Sequence, residues 1–230
     1  MQHEILITND DGIESPALAA LEAAVSHLGR VTVVAPDRER SAASHCITVR
    51  EAVVYHQIGA NRFAVQGTPV DCVIVALMEI MKIPPSLVIS GVNRGLNVGD
   101  DILYSGTVAA ATEAVLQGIP ALAVSASAVE PPEYAPAAEV AARIAARVLE
   151  EGLPADILLN VNYPRDWNGE FRLTRQGRRM APPDNGHLTD YEAMAAGYVS
   201  ICPLQINRTA HAHFEHFTRW MEAESWLVTP

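Results

Sequence analysis

Ile5-Leu6-Ile7-Thr8-Asn9-Asp10-Asp11-Gly12-Ile13 is the stretch that decides the fold. An apolar run of this length, bounded by turn residues, reads as a buried strand. It stops at two adjacent carboxylates and a glycine. Ser15-Pro16 follows, with Ser15 as a helix cap, Pro16 at the first helical position, and Leu18, Leu21, Val25 and Leu28 as an apolar stripe. In an open parallel sheet, ligands bind beyond the carboxyl ends of the strands. Two acids placed there repel each other and resist desolvation unless a cation compensates them. A divalent metal is the economical explanation of the pair.

The same alternation continues outward. Val31–Ala35 reads as a second strand, closed by Pro36-Asp37. Ile47-Thr48-Val49, Val53-Val54-Tyr55 and Phe63-Ala64-Val65 read as short β pieces, antiparallel or at an edge. Thr68-Pro69-Val70-Asp71 opens a helix with a cap, a proline and an acid at capping-box spacing. Leu87–Ser90 is a strand, followed by a glycine-rich loop, a helix over 105–117 and the strand Ala121–Ser125. Pro131-Pro132 marks a loop, Glu139–Glu150 a helix and Ile157–Val161 a strand. Phe171–Arg175 and Tyr198–Pro203 read as strands, Arg178–Gly186 as a loop and Thr209–Glu222 as a terminal amphipathic helix. The βαβα order predicts an α/β fold with a doubly wound, mostly parallel sheet. Residues 1–165 form the expected catalytic core, and 166–230 an expected C-terminal appendage for subunit contacts.

Composition excludes several classes of function. The formal net charge is −11, which argues against a nucleic-acid duplex or an anionic membrane as partner. No apolar run reaches the roughly 18 residues of a membrane span, and Met1-Gln2-His3-Glu4 is unlike a signal peptide. Lys82 is the only lysine and no Gly-Lys-Ser/Thr ending occurs, so there is no P-loop. Cys46, Cys72 and Cys202 are odd in number and widely spaced, which fits a reducing cytoplasm and neither a disulfide framework nor a zinc site.

Four segments follow expected strands and should converge on one rim. The first carries Asp10 and Asp11. The second, Asp37-Arg38-Glu39-Arg40-Ser41-Ala42-Ala43-Ser44-His45, offers a hydroxyl to a hard cation and arginines to a phosphate. No Gly-x-Ser-x-Gly elbow surrounds Ser41 or Ser44, which counts against a serine nucleophile. The third runs Ser90-Gly91-Val92-Asn93-Arg94-Gly95-Leu96-Asn97-Val98-Gly99-Asp100-Asp101; its glycines allow close backbone approach, and Asn93 brings a neutral oxygen. The fourth, Tyr104-Ser105-Gly106-Thr107, opens a helix with hydroxyls and free amides, a seat for phosphate. Against these stand the plain readings: a capped turn, a solvated loop, a tight asparagine turn and an ordinary N-cap. His211, His213 and His216 lack the i, i+4 spacing of helical zinc ligands, and neighbouring Phe214 and Phe217 suggest packing instead.

Taken together, the segments at 5–13, 34–42, 67–73, 90–95 and 105–107, extended by Arg175-Gln176 and by Gly197-Tyr198-Val199-Ser200-Ile201, resemble the survival protein SurE family over about residues 4 to 205. The resemblance implies metal-dependent phosphatases that release phosphate from nucleoside 5′- and 3′-monophosphates, and in some members from polyphosphate. It places the ligands of one Mg²⁺ or Mn²⁺ per subunit on Asp10, Asp11, Ser41 and Asn93, with Asp10 and Asp11 also catalytic. It places Asn97, Ser105, Gly106 and Thr107 beside the substrate phosphate. It further implies a Rossmann-like core of three layers with a protruding C-terminal part, and homodimers or homotetramers. One of the two aspartates would orient or deprotonate the attacking water, and His45 is a lesser candidate for protonating the leaving group. The rival expectations are a phosphatase forming an aspartyl-phosphate, which would want Asp-x-Asp rather than adjacent acids, and a nucleotide-binding sensor without turnover.

Overall fold

The computed structural model describes residues 2–127, 134–178 and 186–223. Nine strands form one sheet: β1 (His3–Thr8), β2 (Gly29–Pro36), β3 (Tyr55–Gly59), β4 (Arg62–Val65), β5 (Leu87–Arg94), β6 (Ala121–Ala126), β7 (Ile157–Tyr163), β8 (Phe171–Leu173) and β9 (Val199–Gln205). Their order is β3-β4-β2-β1-β5-β6-β7-β9-β8. The six strands from β4 to β7 in that order run parallel, β3 pairs antiparallel to β4, β9 antiparallel to β7, and β8 parallel to β9.

Among the described residues six α-helices accompany the sheet: α1 (Pro16–Val25), α2 (Pro69–Val75), α3 (Gly106–Leu116), α4 (Tyr134–Glu151), α5 (Asp190–Ala195) and α6 (Phe214–Ala223). Side chains alternate across a strand. Accordingly Ile5 and Ile7 of β1 pack with Leu18, Leu21 and α4 in one core, while Leu6 packs with Val73, Val108 and Ala111 of α2 and α3 in the other. The three layers expected from the sequence are therefore present. The strand order reverses at β1, which has β2 on one side and β5 on the other. Such a switch point opens a crevice at the carboxyl ends of the strands.

Local signals were realised unevenly. Thr68 Oγ1 accepts from Asp71 N at 3.1 Å and Asp71 Oδ2 accepts from Thr68 N at 2.9 Å, the expected capping box. Asp71 also takes the backbone N and hydroxyl of Thr48. That bond holds 47–49 as an irregular loop against α2, where a strand was expected. Ser15 makes no side-chain cap bond to α1. The expected loop after Ser90 is instead strand: β5 runs on to Arg94, its register against β6 shifting between Ser90 and Asn93. The boundary expected at residue 165 falls between β7 and β8, and β8 and β9 join the main sheet. Helix α5 was not foreseen, although Thr189 and Glu192 form a second capping box in a Thr-x-x-Glu pattern. The Pro131-Pro132 loop and most of the Arg178–Gly186 loop lie outside the described residues.

Candidate active site

The turn after β1 is built around Asn9, fully buried, whose Nδ2 donates to Gly12 O and whose Oδ1 accepts from Gly12 N. Gly12 has φ +99°, and a Cβ there would lie 3.0 Å from the Arg38 carbonyl carbon. A side chain is thus excluded on two grounds, backbone conformation and space. The turn leaves Asp10 and Asp11 facing the loops that follow β2 and β5.

Each carboxylate is tied to another crossover. Asp10 Oδ1 accepts from Thr107 Oγ1 at 2.7 Å, and its backbone carbonyl accepts from Arg40 N at 2.7 Å. Asp11 Oδ2 accepts from Arg94 N at 3.1 Å, across the switch point. Ser41 follows Arg40 and Asn93 precedes Arg94, so the tip of β1, the β2 loop, the end of β5 and the start of α3 meet around the acid pair. Ser41 is exposed and donates to Glu39 Oε1 at 2.7 Å. Asn93 spends its Nδ2 on Gly95 O. At Gly106 a Cβ would come within 3.1 Å of Asp10 Cβ and Oδ2, so glycine lets the helix start close over the carboxylate.

Burial dominates the electrostatics. Asp10, 4% exposed, is pushed up from 3.8 to about 6, mainly by desolvation; the charge of Asp11 adds to this, and the Thr107 hydrogen bond opposes it. Asp11 is raised too, first by desolvation; the Arg94 amide opposes this and the charge of Glu39 adds to it. Two carboxylates held above their usual range at one rim are a receptor for positive charge. Among the described residues no group of three or more His, Cys, Asp or Glu side chains could hold a metal. The donor set available here is mixed, two carboxylates with a hydroxyl and an amide. All-oxygen sets of that kind suit hard cations such as Mg²⁺ or Mn²⁺.

The remaining expected residues are placed as follows. Ser105 caps α3, its Oγ accepting from Val108 N at 3.1 Å. Thr107 is fully buried and gives both its hydroxyl and a backbone hydrogen bond to Asp10. Asn97 is buried and sits in an asparagine network invisible to motif reading. Its Nδ2 donates to Ser125 Oγ, its N donates to Asn162 Oδ1, and its carbonyl accepts from both Asn160 Nδ2 and Asn162 Nδ2 at 2.8 and 3.0 Å. Asn160 and Asn162 of β7 are fully buried. Their signal was two polar residues, Asn160 and Asn162, alternating with apolar ones in a strand that otherwise reads as core. Asp190, also fully buried, accepts from Gly99 N and Gly177 N and so ties the Asn97 loop to the segment beyond β8. His45 contacts Glu113 Oε2 through Nε2 at 3.0 Å, two turns into α3 rather than at its start. His211 and His213 lie in a 3-10 turn and His216 on α6, all exposed; the His211 ring lies beside Phe214 and the His216 ring edge-on to Phe217.

Known proteins share this architecture. The profile of the family described as Survival protein SurE matches residues 5–182. The chain is similar to the 5′-nucleotidase SurE of Citrifermentans bemidjiense, at 45% identity covering 94% of this chain and 98% of that one. It is similar to the 5′-nucleotidase SurE of Syntrophotalea carbinolica at 43% identity, covering 94% and 96%. Among solved structures, the SurE protein from Aquifex aeolicus superimposes with a TM-score of 0.86 at 36% identity, covering 94% of this chain and 99% of that one.

Proposed function

The chain belongs to the survival protein SurE family, and from that premise we propose that it is a 5′-nucleotidase, hydrolysing nucleoside monophosphates to nucleoside and phosphate. The observation that carries the reading is the pair at the switch point, Asp10 buried and Asp11 half-buried, each bonded to a different crossover. Relatives named 5′-nucleotidase over nearly their whole length support it.

Asp10, Asp11, Ser41 and Asn93 would hold one Mg²⁺ or Mn²⁺ per subunit. When bound, such a cation acts as a Lewis acid on a phosphoryl oxygen and acidifies a water. The protein's own contribution is positional. Asp10 Oδ1 is occupied by the Thr107 hydroxyl. Oδ2, beside Gly106, is then the atom that orients the attacking water or takes its proton. The amides of Gly106 and Thr107 open α3, where the helix dipole favours anionic oxygens. With Asn97 and Ser105 they line the phosphate side and steady charge as it develops. The family resemblance extends the proposal to 3′-monophosphates, short polyphosphate, a homodimer or homotetramer, a cytoplasmic location, and a division into a core over 1–165 and a subunit-contact region over 166–230.

Phosphate release from AMP, assayed with Mn²⁺, with Mg²⁺ and with chelator, tests the reading. Asp11→Asn deletes a ligand charge with little change of shape, and turnover should fall by about a hundredfold or more. Undiminished turnover in that variant would remove Asp11 from the mechanism, and undiminished turnover in chelator would remove the metal.

A further inference from the structure

A cavity of about 520 Å³ lies alongside α3, within the size range of small-molecule sites. It begins at Ser105, the cap of the helix, and follows the face formed by Val108, Ala109 and Thr112. Spacings of three and four put these side chains in one stripe. Leu158 of β7 and Leu204 of β9 make the opposite wall, and His45 and Gln176 also border the space. The cavity therefore has apolar patches on both walls, a polar and charged border that includes Asp100, Arg178 and Arg208, and one end at the residue that starts the proposed phosphate seat.

His45 is held in place from two directions. Ser44 N donates to Tyr104 O at 3.0 Å and Ser44 Oγ donates to Leu103 O at 2.7 Å, which fastens the loop against the approach to α3. The ring is then fixed on Glu113, whose other oxygen accepts from Gln117 Nε2. Glu113 lies seven residues beyond Gly106, about 10 Å along the axis at about 1.5 Å per residue. That is the reach of a nucleoside from its own phosphate. Gln176 spends Nε2 on Gly99 O at 2.8 Å and keeps Oε1 as an acceptor.

We propose that this groove receives the nucleoside half of the substrate, its base between the α3 stripe and the β7–β9 wall with His45 against the ring. The proposal rests on the nucleotidase reading above and adds where substrate preference is set. Flat heteroaromatic rings suit apolar walls and a preorganised imidazole. Gln176 Oε1 offers a partner to an amino group on the base.

The test compares AMP with methyl phosphate, which has the phosphate and no nucleoside. Thr112→Phe fills the groove from the helix side, and Leu204→Phe fills it from the sheet side. Either variant should cut the ratio of kcat/KM for AMP to that for methyl phosphate by about tenfold or more, the scale on which an apolar pocket discriminates between substrates. In the wild type, adenosine should inhibit hydrolysis of methyl phosphate competitively. Both effects absent, with wild-type AMP turnover normal, overturns the groove alone. A proportional fall for both substrates in both folded variants also overturns it, because a nucleoside subsite discriminates between them. Wild-type protein that hydrolyses methyl phosphate but not AMP overturns the nucleotidase reading, and the groove with it. Should Thr112→Phe fail to fold, Leu204→Phe and the adenosine inhibition decide the matter.

Discussion

Thr107 donates its hydroxyl to Asp10 Oδ1 at 2.7 Å, although 97 positions separate them in the chain. This bond couples the tip of β1 to the start of α3, so the acid pair and the proposed phosphate seat form one rigid unit. Asp10 is pushed up by burial, and Thr107 is what holds it down in part. Thr107→Val keeps the shape and removes the hydroxyl. A hydrogen bond to a charged group contributes about 1.5–3 kcal/mol, so Mn²⁺ affinity should drop by about tenfold or more. Titration calorimetry with Mn²⁺ checks this; an unchanged affinity would show that the hydroxyl does not orient the carboxylate.

The raised pKa of Asp10 has a consequence for stability. An acid whose folded-state pKa lies above its unfolded value favours the fold while protonated. That contribution is complete below about pH 4 and is lost as pH rises through about 6. The gap from 3.8 to about 6 corresponds to about 3 kcal/mol. In chelator, wild type should therefore lose about that much relative to Asp10→Asn between about pH 4 and about pH 7. Urea denaturation of both proteins at the two pH values measures the difference, and a gap that stays constant would contradict the assignment.

The asparagine clamp predicts an order of damage. Asn162 both accepts from Asn97 N and donates to Asn97 O, whereas Asn160 is one of two donors to that carbonyl. Asn162→Ala leaves a buried amide unsatisfied, at a cost of about 1–3 kcal/mol beyond that of Asn160→Ala. Denaturant midpoints of the two variants settle the order. Equal destabilisation would mean that the Asn97 backbone finds another partner.

The three cysteines should differ sharply in reactivity. Cys46 is exposed, while Cys72 and Cys202 are buried free thiols. Burial pushes the Cys72 thiol well up and Cys202 to about 12. Thiolates are the reactive form, so iodoacetamide should label Cys46 alone in the native protein and all three after unfolding. Mass spectrometry of the labelled peptides reads this directly; native labelling of Cys72 would place it outside the core.

The parallel sheet, its crossovers and the acid pair were legible because strands buried on both faces are written as continuous apolar runs. Ile5-Leu6-Ile7 and Leu87-Val88-Ile89 are such runs, and each ends where polar residues begin. The capping box at Thr68 was legible for a similar reason, since its bonds lie within one turn. The failures were of another kind. Thr48 lies in a β-like stretch yet is claimed by Asp71, and Asn93 and Arg94 read as loop yet extend β5.

What the chain alone determined is therefore the set of elements, their alternation, and the residue types at each strand end, because these follow from local periodicity and short-range hydrogen bonding. What only the tertiary structure decided is which distant groups meet: Thr107 on Asp10, Arg94 N on Asp11, Asn160 and Asn162 on Asn97, Asp190 on Gly99. Such contacts join residues brought together by the strand order β2-β1-β5-β6-β7. Burial, and with it the raised pKa of the acid pair, exists only after that order has closed the rim against water.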